Sequence, residues 1–450
     1  MIHHYKLNGY NIILDIASGS IHSVDDAAYD TIVMYESKSK DEIAKYLITT
    51  YKDVALMDAL KILAKVEELK EEGKLFSQDD FKSKTAGIKN LPLKALCLNM
   101  SHKCNMSCEY CFITNNISNS NELMSLDVAK KAIDFLIVQS REQKYLDIDF
   151  FGGEPLLNLE VVKEVVAYAR KLEPNYNKKF RFTLTTNGLF IDDDVISFTN
   201  REIHNVVLSL DGRQEVHDGK RKLPDGSGSY DEVLPKIKKL VEARRAKDYY
   251  IRGTYTSSNT DFVLDIFHLA DLGFKELAIE PVVSKAGTSY ALSNKDLPGL
   301  LDQYESLALE MLKRRDQGRG FNFYHYMLDL TEGPCLHKRI TGCGVGIEYL
   351  AVTPKGELYP CHQFVGNEKF LMGDVFTGIT NKIIQSEFRG CDIYSKSECA
   401  KCWARFYCSG GCAANAYYAT GSIKGVNRLE CELIKKRIEC AIMLKVAEIV

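Results

Sequence analysis

The chain has 450 residues, 45% hydrophobic and 26% charged, with a net charge of −3. That is enough apolar material for several domains, and the charge excludes a polyanion-binding surface, so no nucleic-acid partner is expected. No apolar run reaches the roughly 18 residues that span a bilayer. The first residues, MIHHYKLNGYN, lack the layout of a secretion signal, so no membrane association and a cytoplasmic location are expected.

Residues 1–35 alternate apolar and polar positions, with Ser18-Gly19-Ser20 as a turn between candidate strands. Residues 40–75 read as helices. Lys40-Asp41-Glu42 opens one, and Leu60, Ile62, Leu63, Val66 and Leu69 recur at helical spacing in another. The first 80 residues are thus a small α+β module, and the polar stretch 77–90 reads as a linker.

From residue 93 short apolar runs alternate with helical ones. Strands are expected at 93–100, 145–151, 180–186, 205–211, 249–256 and 275–283. Helices are expected at 125–139, 158–172, 230–243 and 260–273, with Ser125 and Asn158 as N-caps. Six strands, most followed by a helix, predict an α/β fold: a parallel sheet closed into a partial (β/α)6 barrel over residues 91–300. In such folds chemistry sits at the C-terminal ends of strands. Residues 301–334 read as a helical bridge. Residues 335–450 form a Cys- and Gly-rich region with short strands, including a hairpin over 351–361 that turns at Pro354-Lys355-Gly356.

The fourteen cysteines are clustered. One group occupies 104–111, a second spans 335–440, and none lies between Cys111 and Cys335. In a chain of this size such clusters point to metal binding or catalysis rather than to disulfides. Cys104, Cys108 and Cys111 lie just after the first barrel strand and can supply three of the four iron ligands of a cubane cluster. One iron is then open, as in catalytic metal sites. The competing reading, a zinc knuckle, needs a fourth nearby ligand, and only His102 is at hand.

The C-x-x-x-C-x-x-C spacing, with Tyr110 before the last cysteine, resembles the radical S-adenosylmethionine (SAM) superfamily. The resemblance implies that the open iron binds SAM, and that an electron from the cluster yields a 5′-deoxyadenosyl radical that abstracts hydrogen from substrate. The cofactor carries that chemistry, and the protein places the reactants. By the same resemblance Cys104, Cys108 and Cys111 are catalytic metal ligands. Gly152-Gly153-Glu154-Pro155, at the end of the second strand, matches the motif that binds the SAM amino group. Ser209 and Arg221 resemble the carboxylate and ribose contacts, and Tyr110 and Val282 the adenine neighbours.

The second group, Cys343, Cys361, Cys399, Cys402, Cys408, Cys412 and Cys431, resembles the SPASM extension of radical SAM peptide maturases. That extension holds two auxiliary clusters, so the resemblance implies three 4Fe-4S clusters in all. It assigns Cys399, Cys402, Cys408 and Cys431 to a distal cluster, and Cys343, Cys361 and Cys412 to a proximal one. The proximal set is one short. Either Cys335 completes it or an iron stays open to a substrate thiolate. Two structural zinc sites are the simpler alternative. Cys97, Cys391 and Cys440 need no such role.

The first 80 residues resemble the winged-helix-like recognition element of enzymes that modify ribosomal peptides. Such elements bind an extended leader at a sheet edge and so raise the local concentration of the core peptide. The whole pattern, including HQFVG after Cys361, is closest to maturases of "six cysteines in forty-five residues" (SCIFF) peptides. It implies thioether (sactionine) bonds from cysteine sulfur to an α-carbon of a Cys-rich precursor peptide. An auxiliary cluster would take the surplus electron, and an external donor such as flavodoxin or ferredoxin would supply the first. Sulfatase maturases place an aspartate directly after the proximal-cluster cysteine; here His362 follows Cys361, which counts against formylglycine formation. Other peptide cross-linking and a zinc-stabilised peptide-binding adaptor are the remaining alternatives.

Overall fold

The computed structural model describes residues 1–84, 91–113, 121–284, 287–330 and 335–449. The amino-terminal alternation folds into three antiparallel strands in sheet order: β1 (Ile2–Leu7), β2 (Tyr10–Asp15) and β3 (Ile21–Val24). The extended pattern stops there. The Asp25 carboxylate accepts from Ala28 N and starts α1 (Asp26–Met34), where the alternation led us to expect more strand. Next come α2 (Lys40–Thr50), opened by a reciprocal Ser39–Glu42 capping box, and α3 (Leu56–Glu71). The stretch after residue 76 is tied down more than a linker would be. Ser77 bonds to the Asp15 carboxylate, and Asp79 pairs with Arg405 at 3.0 Å. Residues 85–90 lie outside the described residues.

The predicted barrel strands form, all parallel: β4 (Ala95–Ser101), β5 (Tyr145–Gly152), β6 (Lys179–Thr186), β7 (Asn205–Ser209), β8 (Tyr249–Tyr255) and β9 (Glu276–Pro281). Their crossover helices are α4 (Leu126–Gln139), α5 (Leu159–Tyr176), α6 (Asp193–Glu202), α7 (Tyr230–Arg244) and α8 (Phe262–Asp271). Ser125 caps α4 through Val128 N. Asn158 precedes α5 but makes no cap bond; its amide donates to the Met100 and Met124 carbonyls instead. The short, Asp192-capped helix α6 escapes the periodicity because its ten residues hold little more than one apolar stripe.

Strands β5 to β8 bury alternate residues under the helices, such as Leu146, Ile148 and Phe150 of β5, while β4 is buried throughout. The other set faces the barrel interior, which is why charged residues such as Arg252 and Glu280 survive inside the barrel strands.

The bridge differs from its expected outline. Its helix α9 (Leu297–Asp316) ends early, and β10 (Asn322–Phe323) follows as a seventh parallel strand beside β9. On the opposite edge β11 (Tyr349–Val352) runs parallel to β4. The predicted hairpin then returns as β12 (Glu357–Tyr359), followed by β13 (Gly373–Asp374) and β14 (Gly378–Ile379). The carboxy-terminal region therefore continues the barrel sheet, which has 11 strands among the described residues, in the order β10-β9-β8-β7-β6-β5-β4-β11-β12-β13-β14.

The chain ends in the long helix α10 (Arg428–Ile449), which the Cys- and Gly-rich reading of this region left out. It buries Leu433, Ile438, the run Cys440–Leu444 and Val446 in part against α9, and Tyr5 of β1 donates to its Glu439 carbonyl at 2.9 Å. Among the described residues no helix is long and apolar enough to cross a membrane.

Candidate functional site

The strand ends of the barrel open on a cavity of about 170 Å³. Cys104, Cys108 and Cys111 line it, and so do Tyr110, Gly152, Gly153, Ser209, Arg221 and Val282, every residue expected at the SAM-binding cluster or at SAM itself except Glu154. A second cavity of about 430 Å³ adjoins it, sharing Tyr110, Phe112, Val283 and Gln363 and adding Ser284, Thr288, Ser289, Tyr290 and Tyr418.

The cysteine loop leaves β4 at Ser101 and is pinned at three places. Gly153 N donates to the Ser101 carbonyl at 2.6 Å and Glu154 N to the Lys103 carbonyl at 3.1 Å. These bonds require glycine: a Cβ on Gly152 would stand 2.3 Å from Ser101 O, and one on Gly153 2.3 Å from Lys103 O. Further along, Ser107-Cys108 pairs antiparallel with Arg221-Lys222, so Cys108 and Arg221 are direct partners. Asn187, at the end of β6, donates to Asn105 Oδ1 at 2.7 Å and approaches the Cys104 sulfur at 3.6 Å.

Glu154 is placed differently from its expected role. It is fully buried under the loop, and its carboxylate accepts from Leu156 N, Asn187 N and the Thr186 hydroxyl. Burial still pushes its carboxyl up to about 7. It holds the glycine turn and the end of β6 together and does not line the cavity.

Asp211 is the anchor that the motif reading missed. It is buried, accepts from the Tyr110 hydroxyl at 2.5 Å and from Thr254 N at 3.0 Å, and pairs with Arg221 at 3.1 Å. One carboxylate thus fixes both Tyr110 and Arg221. Its place in LSLDG, directly after a strand end, was the available signal. Arg252 and Glu280 also line the cavity and were missed; their signal was a charge inside an otherwise apolar strand.

A ring wall closes one side. Phe112 and Phe151 lie 5.4 and 5.0 Å from the His362 ring, which contacts the Tyr349 hydroxyl at 3.3 Å. Burial lowers the His362 pKa to about 4, so its imidazole is neutral at neutral pH.

The donor set fits an iron–sulfur cluster. Burial pushes the Cys104 thiol up to about 12 and the Cys108 thiol to about 11, the latter against the Arg221 charge. Left without metal these thiols keep their protons; ligation displaces them. Among the described residues no three His, Cys, Asp or Glu side chains converge on one point as the ligands of a single ion would. The thiols stand instead around a shared space.

Several thiols of the second cysteine group lie close enough to raise one another. Burial, and after it the neighbouring Cys412 and Cys343 thiols, push Cys361 well above the usual range. Cys408 is pushed up to about 12 by burial, then by Glu430, Cys399 and Cys402. Cys431 is pushed up to about 12 by burial, then by Cys408 and Cys399. Cys335 is exposed at the start of the short helix Leu336–Thr341, and the thiols acting on Cys361 are Cys412, Cys343 and Cys97. Cys97 is buried in β4, Cys440 in α10, and Cys391 donates to the Ile423 carbonyl at 3.3 Å.

Residues 98–279 match the radical SAM superfamily, and residues 343–403 match the iron–sulfur cluster-binding SPASM domain. A cysteine-type anaerobic sulfatase-maturating enzyme of Clostridium novyi is 25% identical over 70% of this chain and 86% of its own length. The radical SAM cyclopropyl synthase TigE of Paramaledivibacter caminithermalis is 24% identical over 93% of this chain and 89% of its own. Among solved structures, Streptococcus suis SuiB bound to the precursor peptide SuiA superimposes with a TM-score of 0.55 at 14% identity, over 95% of this chain and 98% of that one.

Proposed function

From the radical SAM fold and its carboxy-terminal SPASM domain, we propose that the chain is a maturase of a ribosomally made, cysteine-rich precursor peptide, in which it forms thioether bonds from cysteine sulfur to a backbone α-carbon. The observation that carries the reading is the single cavity that gathers the three cysteines with Gly152, Gly153, Tyr110, Ser209, Arg221 and Val282. When bound, a four-iron cluster and SAM would supply a carbon-centred radical able to remove hydrogen from an unactivated position. Every other part is done by side chains. Cys104, Cys108 and Cys111 would hold the cluster, and the glycine pair lets their loop lie on the strand end. Ser209, Arg221 and Tyr110 would orient SAM, two of them through Asp211. Phe112, Phe151 and His362 exclude water from that side. The adjoining cavity, walled by Tyr290 and Tyr418, gives a peptide segment its approach.

Cys343, Cys361 and Cys412 would hold a proximal auxiliary cluster, with Cys335 or a substrate thiolate as its further ligand. Cys399, Cys402, Cys408 and Cys431 would hold a distal one. The amino-terminal sheet would take the leader at its β3 edge, since β1 is covered by α10. The likeness to SuiB bound to its precursor peptide, over 95% of this chain, supports a peptide substrate.

Formylglycine formation is the second reading, favoured by the match to the sulfatase-maturating enzyme. It meets a neutral His362 where a carboxylate would be expected. The test is anaerobic incubation with SAM, reductant and a synthetic cysteine-rich precursor peptide. A two-hydrogen mass loss per bond, with sulfur retained and the fragments linked, is the expected result. A product carrying formylglycine and no link selects the second reading. Zinc in place of iron and sulfide on metal analysis rejects both.

A further inference from the structure

Deep in the barrel, opposite the cysteine loop in sheet order, two charges face the cavity. Arg252 on β8 and Glu280 on β9 form an ion pair of 3.2 Å. The cysteines spring from β4, four strands away from β8 in the sheet, and the curl of the sheet brings both sets to one cavity. Each partner nevertheless keeps more than a third of its side chain accessible, 38% for Arg252 and 36% for Glu280. A pair that served only to hold strands together would close that surface. Here it is presented to the space where a substrate would lie.

The surroundings are polar and not saturated. Burial alone would raise the Glu280 carboxyl, but the Arg252 charge, with Arg437 behind it, outweighs burial and holds Glu280 ionised. His325 Nε2 and Arg437 Nε are both buried without a hydrogen-bond partner among the described residues. Buried polar atoms of this kind are costly unless a ligand or ordered water completes them. Asp211 already engages Tyr110 and Arg221 on the expected SAM side, and the Arg252–Glu280 pair has no part in that anchor.

We propose that Arg252 and Glu280 form a clamp for the backbone of the substrate residue that loses its hydrogen, Glu280 accepting its N–H and Arg252 donating to its carbonyl oxygen. In an extended chain the N–H and C=O of one residue point to the same side, as in a β-ladder. An acceptor and a donor side by side therefore complement one residue and fix its α-carbon, whatever its side chain is. Charge-assisted bonds of this type are stronger than neutral ones. The clamp rests on the peptide-maturase reading and adds to it the group that sets which hydrogen is presented. Both are positioning residues, and no bond is made or broken on them.

The test uses the reconstituted full-length protein, SAM, and the same synthetic cysteine-rich peptide. Three quantities are read for wild type, E280A, R252A and the near-isosteric E280Q: the ratio of 5′-deoxyadenosine to cross-linked product, SAM affinity, and peptide affinity. The clamp predicts that E280A and R252A still cleave SAM and bind it within about twofold of wild type, while the ratio rises about tenfold or more, the loss of a charged hydrogen bond. A peptide N-methylated at the residue to which the link maps should uncouple wild type to a similar degree and E280A no further. Reading E280Q beside the alanine forms keeps the comparison if one of them fails to fold. A fall in SAM affinity that matches the loss of product would overturn the clamp, as would unchanged coupling in both alanine variants. Absence of 5′-deoxyadenosine from wild type would instead sink the radical SAM reading on which the clamp depends.

Discussion

His217 shows how one buried side chain makes stability depend on pH. It is fully buried, with Nε2 on the Ser229 hydroxyl at 3.0 Å and Nδ1 accepting from Asp211 N at 3.4 Å. Burial lowers its pKa to about 4 from the ordinary 6.5, and the Arg221 charge adds to this. The unfolded chain therefore takes up a proton near pH 6.5 that the folded chain refuses until about pH 4. The stabilisation is present above the unfolded value and is lost as pH falls toward the folded one, a difference on the order of 3 kcal/mol. We expect H217Q to show a smaller drop in urea midpoint than wild type between pH 6.5 and 4. His362 and His325 are lowered as well, so the variant removes one share of the acid sensitivity. Nothing in the local sequence VHDGK marks His217 as buried; that follows from the helix Gln214–Lys220 folding under Asp211.

Among elements, the turn from β5 into α5 decides whether the cysteine loop can form. A methyl group on Gly153 would meet backbone oxygen and carbon of Lys103 at 2.3 and 2.7 Å, and backbone cannot rotate away as a side-chain end can. We expect G153A to shift residues 101–104. The cost should be about 1–3 kcal/mol, the usual range for overpacking. Iron and sulfide analysis of the reconstituted variant should show one cluster's worth missing, with the carboxy-terminal iron retained. Full iron content would refute this role for the glycine. The strands and the glycine pair were legible because alternation and GGEP are local patterns. Glu154 was not, since its carboxylate is used by Thr186 and Asn187, thirty-odd residues away. Helix α10 was overlooked for a related reason: its apolar residues lie all round, as expected for a helix packed on several sides.

At the scale of the whole molecule, the amino-terminal module is fastened to the carboxy-terminal region and not hung from a linker. His3 of β1 stacks on Trp403 with ring centroids 3.7 Å apart and planes 3° from parallel. His3 also bonds to Glu439 of α10 at 2.9 Å, and Asp79 reaches Arg405. Trp403 is the single tryptophan of the chain, next to Cys402, so its fluorescence reports this junction. We expect tryptophan fluorescence and far-ultraviolet circular dichroism of the metal-free protein to change in one coincident urea transition. In H3A the tryptophan signal should move to lower urea ahead of the dichroism. An early tryptophan transition in wild type would mean that the module undocks on its own.

By itself the sequence determined six of the parallel barrel strands and the cysteine trio beside their ends. These depend on alternation, turn residues and ligand spacing, all carried by neighbours in the chain. Only the tertiary structure decided that β11 joins the barrel sheet beside β4, that Asp211 fixes Tyr110 and Arg221, and that Arg252 and Glu280 share the cavity with cysteines 104, 108 and 111. Such contacts join residues up to some two hundred and fifty positions apart. No local preference encodes them, because each is set by the curl of the sheet and by which face of each strand the helices bury.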